Sequence, residues 1–289
     1  MIASEYEYLQ KLLKERSGLV LSADKQYLVE SRLIPLARRC NLGGLSELVQ
    51  KMRFGDEALI VAVVEAMTTN ETFFFRDKVP FDHFRDTIMP TLLSARKNRR
   101  SIRIWCAASS TGQEPYSLAM MLKEMGASLN GWRVEIVATD LSQEVLEKSK
   151  AGIFSQFEVQ RGLPIQMLVK HFTQVNEMWQ ISPEIRAMVQ FRQLNLLHDF
   201  SKLGVFDVIF CRNVLIYFDQ ETKVNVFNRL AKVIETDGFL LLGAAETVVG
   251  LNAGFNPYPE RRGLYHPTPA TASPSIVPAL GARTIQAVR

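Results

Sequence analysis

Two carboxylates stand just beyond short apolar runs. Glu114 follows "IRIWCAASSTGQ" (102–113), and Asp140 ends "VEIVATD" (134–140). The turn before Glu114 keeps its side chains small, at Ala107, Ala108, Ser109, Ser110 and Gly112, so a ligand can approach the main chain there. A phosphate site would want a glycine-rich turn, and neither G-x-x-x-x-G-K-S/T nor G-x-G-x-x-G occurs. A carboxylate at position 114 repels pyrophosphate and attracts an ammonium or sulfonium group. Taken alone, Glu114 fits equally well as an acidic residue complementing the dipole of the helix it opens. Asp140 decides between the two readings. A carboxylate at the tip of the second strand of such a fold accepts hydrogen bonds from both hydroxyls of a ribose. It also fits an N-cap for "SQEVLEKSKAG", a task that Ser142 can perform instead. An adenosine with a cationic tail and no phosphates is S-adenosylmethionine.

The elements that must position these groups follow from periodicity. Residues 1–75 show apolar positions at helical spacing (Leu9, Leu12, Leu13; Leu59, Val63, Val64, Met67) and almost no strand signal, which predicts a small all-helical domain. Residues 76–101 read as a linker with a connecting helix. From 102 to 268 the apolar runs "IRIWCA", "VEIVATD", "FDVIFC" and "GFLLLGA" alternate with helical stretches, the signature of parallel strands covered on both faces. The segment at about 152–196 exceeds one βα unit. Its runs "VNEMWQIS" and "MVQFRQLN" predict an inserted antiparallel β-subdomain. The fold class is therefore α/β, a Rossmann-like parallel sheet with a small antiparallel insert, preceded by helices. Residues 269–289, rich in Pro, Ala, Ser and Thr, predict a disordered tail.

At 289 residues and 47% hydrophobic, the chain can bury a substantial core. No apolar run approaches the roughly 20 residues of a spanning helix, and the N-terminus lacks the pattern of a leader, so a cytoplasmic protein without membrane insertion is expected. Cys40, Cys106, Cys211 and four histidines show no metal-ligand spacing, and no metal is expected. With 34 basic against 30 acidic residues, the charge gives little reason to expect a nucleic acid partner.

Four stretches, in this order, resemble one family: "TTNETFFFRD" (68–77), "AASSTGQEPYSLA" (107–119), "ATDLSQEVLEKSKAGIF" (138–154) and "FDVIFCRNVLIYFD" (206–219). The likeness is to the CheR-type chemotaxis receptor methyltransferases, enzymes that use S-adenosylmethionine to methylate glutamates of bacterial chemoreceptors. It runs from about residue 5 to 266. The resemblance implies cofactor contacts from Asn70, Thr72 and Arg76 in the segment joining the domains, with Glu114 and Asp140 as already argued. It also implies Asn195 and Leu196 beside the adenine, Arg212 and Asn213 beneath the methionine part, and Tyr217 toward the methyl group. A catalytic arginine is implied shortly before the first strand. There "SARKNRR" offers Arg96, Arg99 and Arg100; the choice stays open, with Arg96 favoured.

Simpler structural roles compete for several of these residues. Tyr217 lies among apolar neighbours and fits a packed tyrosine, Phe73, Phe74 and Phe75 fit core packing, and Asn70 or Thr72 fits a cap for a helix near Asp77. The first helical stretches also carry Lys25, Arg32 and Arg39 seven apart, with Arg38 adjacent. In a continuous helix these form a stripe suited to an acidic receptor coiled coil, unless Pro35 kinks it. Some members of the family grip a receptor C-terminal pentapeptide with a glycine-rich loop in the insert. Here "HFTQVNEMWQISPEIRAMV" has no glycine, so no such tether is expected. The competing functions are a non-catalytic sensor of the cofactor or its product, and a methyltransferase of the same fold with another substrate. The absence of an Asn-Pro-Pro-Tyr-like turn near 206–219 speaks against a nucleic acid base as acceptor.

Overall fold

The computed structural model describes residues 1–251 and 254–268; the tail expected at 269–289 lies outside them. Four helices form the N-terminal unit: α1 (Ala3–Ser17), α2 (Gln26–Arg39), α3 (Leu45–Arg53) and α4 (Glu57–Met67). Their apolar stripes meet in one core containing Leu9, Leu13, Val29, Leu33, Leu48 and Val63. Helix α2 continues through Pro35 to Arg39. Beyond α4 a strap without regular structure, 68–78, which turns at 74–77, leads to α5 (Val79–His83), a π-helical stretch (Phe84–Ile88) and α6 (Met89–Ala95). Phe81, Phe84, Ile88 and Leu92 of this irregular helix pack on one face of the sheet.

The sheet begins with β1 (Ser101–Ala107), followed by α7 (Gln113–Glu124), β2 (Arg133–Asp140) and α8 (Gln143–Ala151). The insert then supplies β3 (Ile153–Ser155), α9 (Gln156–Gln160), α10 (Ile165–His171), β4 (Phe172–Val175), β5 (Met178–Ile181) and α11 (Pro183–Ala187). The chain returns to the main sheet as β6 (Val189–Gln193), β7 (Phe206–Cys211), α12 (Gln220–Leu230), β8 (Ile234–Leu242), β9 (Phe255–Pro257) and β10 (Leu264–Pro267). Seven strands lie in the order β6-β2-β1-β7-β8-β10-β9, and β3, β5 and β4 form a separate antiparallel sheet. The first five strands pair in parallel, while β10 and β9 close one edge antiparallel. All six residues of β7 are buried, as a central strand covered on both faces requires.

Two differences from the sequence reading have physical causes. "MVQFRQLN" was expected in the insert, but β6 pairs in parallel with β2, from Ile136↔Val189 to Asp140↔Gln193. It is an edge strand with one dry side, so its alternation resembles that of an antiparallel strand. The closing strands β9 and β10 are too short and too polar to have been read from pattern at all. Among the described residues no helix is long and apolar enough to cross a membrane.

Candidate functional site

Strand order reverses between β1 and β7, and ligands of open parallel sheets lie outside the carboxyl ends of strands at such a point. A cleft of about 1000 Å³, counting its open mouth, sits there. Asn70, Thr72, Arg76, Glu114, Asp140, Asn195, Leu196, Arg212, Asn213 and Tyr217 all line it. Arg96 does not.

The floor of the cleft is the turn after β1. Ala108 (φ 57°) and Ser110 (φ 50°) adopt left-handed conformations that cost energy for residues with a Cβ, and Gly112 (φ 91°) starts α7 in the same region. A Cβ on Gly112 would meet Ser149 of α8 at 3.1 Å, a tight contact added to a positive φ that already favours glycine there. The strained turn is tied on several sides. Ser109 N donates to Thr139 O (2.9 Å), Ser110 N to Asp140 Oδ2 (2.8 Å), and Ser110 Oγ to Asn70 O of the strap (2.8 Å).

Asp140 is 7% exposed and accepts one backbone N–H on each oxygen, Ser110 on Oδ2 and Ser142 (3.0 Å) on Oδ1. Each oxygen keeps a lone pair for a ligand. Burial pushes this carboxyl upward, against the pull of the Ser142, Ser110 and Leu141 amides. Helix α8 is capped by Ser142, whose Oγ accepts from Val145 N, so the capping task does not fall to Asp140.

Glu114 is not free, which sequence reading could not show. Its Oε2 accepts from Arg212 Nη1 at 2.7 Å, and Arg212 Nη2 donates to Asp77 Oδ2 (2.7 Å) and Arg76 O (2.8 Å). Burial raises the Glu114 carboxyl, with Arg212 opposing. The arginine therefore anchors Glu114 from beneath, while Oε1 keeps its lone pairs. Two buried polar atoms have no hydrogen-bond partner among the described residues, Arg212 Nε and Ser109 Oγ, and Ser109 lines the cleft.

Asn213 (φ 58°) begins the short loop that carries Tyr217. Glu246, which sequence reading missed, holds that loop. Its carboxylate accepts from the backbone N–H groups of Asn213 (2.8 Å), Val214 (3.0 Å), Leu215 (2.8 Å) and Gly243 (2.7 Å). Only an acidic residue shortly after an apolar strand, in "LLLGAAETV", hinted at it. The helical domain also takes part. Ser17 and Leu19 line the cleft, Val20 N donates to Tyr217 O (2.9 Å), and Asn195 Nδ2 donates to Arg16 O (2.7 Å).

Arg96 must be corrected. It is 8% exposed and lies at the opposite end of the sheet, where its Nε donates to Asp207 Oδ1 (2.8 Å) and its Nη1 to Asp237 Oδ2 (2.7 Å). Arg99 pairs with Asp207 and Glu235 in the same cluster. These ion pairs tie α6 to the starts of β7 and β8 and have no access to the cleft. Arg76 is the cleft arginine that forms no ion pair among the described residues; its Nη1 donates to Glu71 O, and its guanidinium lies 5.7 Å from the Phe73 ring centroid. Phe74 is fully buried and packs as expected, whereas no residue of "NET" caps α5, which starts after Lys78.

The basic stripe is also redistributed. Arg38 and Arg39 are exposed at the end of α2, and Lys25 precedes the helix, 3.6 Å from Asp24. Arg32 turns toward α4 and donates to Met67 O and Thr68 O.

Residues 4–68 match the CheR methyltransferase all-alpha domain, and residues 70–264 match the CheR methyltransferase SAM binding domain. The chain is 42% identical over 252 residues to chemotaxis protein methyltransferase 1 of Pseudomonas aeruginosa, covering 86% of this chain and 92% of that one. It is equally 42% identical over 255 residues to chemotaxis protein methyltransferase 1 of Vibrio cholerae, covering 87% and 92%. A solved structure of the glycopeptide N-methyltransferase MtfA complexed with S-adenosylmethionine aligns at 16% identity and a TM-score of 0.31, over 54% of this chain and 53% of that one. The strap from Asn70 onward, the turn after β1, Asp140 and the Tyr217 loop all fall within the matched SAM-binding span, and with the helical domain matched as well, the chain belongs to the CheR methyltransferase family.

Proposed function

We propose that this methyltransferase esterifies glutamate side chains of chemoreceptors, with S-adenosylmethionine as methyl donor. The cleft fits that donor. Asp140 offers an acceptor to each ribose hydroxyl, small side chains leave the main chain of the turn approachable, and Leu141, Leu196 and Phe218 supply apolar wall for an adenine. When bound, the donor supplies a methyl group on a sulfonium, which an in-line nucleophile must reach at about 3–3.5 Å.

One observation carries the choice of acceptor: among the described residues, no histidine or lysine lines the cleft, while Tyr217 and Arg76 do. A glutamate side chain, with an ordinary pKa of about 4.3, is ionised at neutral pH and needs no general base. It needs orientation, which a phenol and a guanidinium give. The acceptor's negative charge meets the donor's positive charge and both vanish in the products, so a partly dehydrated cleft assists the step. Arg212 is committed to Glu114 and Asp77, leaving Arg76 as the orienting cation in place of Arg96. Similarity to the chemotaxis protein methyltransferases supports a receptor as substrate, and we place its docking at the exposed Arg38 and Arg39.

Incubation of the protein with methyl-labelled S-adenosylmethionine and a receptor signalling domain tests the proposal. Incorporated label is expected to leave as methanol in mild base, as an ester does; base-stable label would mean an amine or ring-nitrogen acceptor. A second expectation concerns the insert. Strands β4 and β5 are joined through Asn176 (φ 57°) and Glu177 alone, a tight hairpin with no loop to grip an added strand. Calorimetry with a receptor C-terminal pentapeptide is expected to show no saturable binding, and micromolar affinity would refute the expectation.

A further inference from the structure

The last carbonyls of a helix have no intrahelical donor, and the helix dipole favours a cation beside them. At the end of α4 that cation comes from another helix. Arg32 of α2 donates from Nη1 to Met67 O (2.6 Å) and Thr68 O (2.9 Å), and from Nη2 to Thr69 Oγ1 (3.0 Å). These three acceptors are where the chain leaves α4 and becomes the strap, and Met67, Thr68, Thr69 and Asn70 all line the cofactor cleft. Farther along, the strap is fixed by Ser110 Oγ on Asn70 O and by the Arg161–Glu71 ion pair (2.6 Å). Arg32 is its near anchor, yet it does not line the cleft itself.

We propose that Arg32 is a positioning residue: by clamping residues 67–69 it holds the strap in the conformation the cofactor needs, so that donor affinity depends on a side chain the donor never touches. The inference rests on the reading of this cleft as the S-adenosylmethionine site. A strap released at one end must be ordered again at each binding event, and that ordering is subtracted from affinity.

The test is calorimetric titration of S-adenosylhomocysteine into wild type, Arg32→Ala, Arg32→Lys and Ser31→Ala, the last altering an exposed neighbour on the same helix. Hydrogen exchange at residues 68–72 and in β1 and β7 is measured alongside. Arg32→Ala is expected to bind on the order of tenfold more weakly, with faster exchange at 68–72 and unchanged exchange in the strands. Arg32→Lys should recover part of the affinity, since an ammonium can reach one of the carbonyls, and Ser31→Ala should match wild type. Wild-type affinity in Arg32→Ala would overturn the proposal, as would exchange accelerated equally in the strands, which would make Arg32 a general stabiliser. A wild type that binds no S-adenosylhomocysteine would instead refute the reading of the cleft.

Discussion

Tyr217→Phe is expected to lower kcat about 100-fold, the size of effect seen when one preorganised donor is removed from a reacting centre, while S-adenosylhomocysteine affinity stays within about twofold. The separation of the two effects follows from how the residue is held. Its loop is fixed through the main chain, by three of its N–H groups on Glu246, a carboxylate itself held by Gly243 N, and by Val20 N on Tyr217 O. Removing the hydroxyl therefore leaves the ring where it was and takes away only the hydrogen bond we propose it gives to the acceptor carboxylate. Steady-state rates with a receptor domain and calorimetry with the product measure the two quantities. An unchanged kcat would return Tyr217 to a packing role.

Asp140→Ala is expected to do the reverse, weakening cofactor affinity by roughly 1–3 kcal/mol through lost hydrogen bonds to an ionised group, with a smaller effect on the rate at saturation. Part of that loss is indirect, because Ser110 N and Ser142 N each lose their acceptor. The pH dependence follows from the same environment. Burial raises the carboxyl above the ordinary aspartate value, so protonation starts at a higher pH than for an exposed aspartate, near 4. The ionised form is the better acceptor. Affinity should therefore fall on acidification, beginning at a higher pH than an exposed aspartate would give, and this fall should be absent from Asp140→Asn. Titrations across that range in both proteins check it; identical profiles would assign the loss to another group.

The sequence made the scaffold legible wherever burial leaves a local trace. Strands β1, β2, β7 and β8 are apolar because they are covered on both faces, and the helical domain repeats its apolar positions at the helical period. The place of Asp140 at the tip of β2, facing the cleft, was legible because a strand end is a local feature. What escaped depends on contacts across the chain. Glu114 meets Arg212 only because β1 and β7 are neighbours, and nothing in either segment records that the guanidinium is spent beneath the carboxylate. Arg96 looked available because it sits in a basic run, but Asp207 and Asp237, brought together by β7 and β8, bury it at the wrong end of the sheet. Arg32 fits a seven-residue stripe with Lys25 and Arg39, and the stripe dissolves because Arg32 faces the end of α4. Ser17 and Leu19 gave no signal, since the path of the loop after α1 over the cleft is set by the contact between the two domains.

The account depends on a cleft whose charges admit a nucleoside with a positive tail and turn away polyphosphates. Asp140 lines it without an ion-pair partner among the described residues, Glu114 and Asp77 share Arg212, and Glu71 is paired with Arg161, which leaves Arg76 as the one unpaired cation of the lining. Competition calorimetry tests this most directly, with S-adenosylmethionine or S-adenosylhomocysteine titrated against ATP and NAD. Both adenosyl compounds are expected to bind, and neither ATP nor NAD should displace them at tenfold excess. Tighter binding of ATP or NAD than of S-adenosylmethionine would contradict the account.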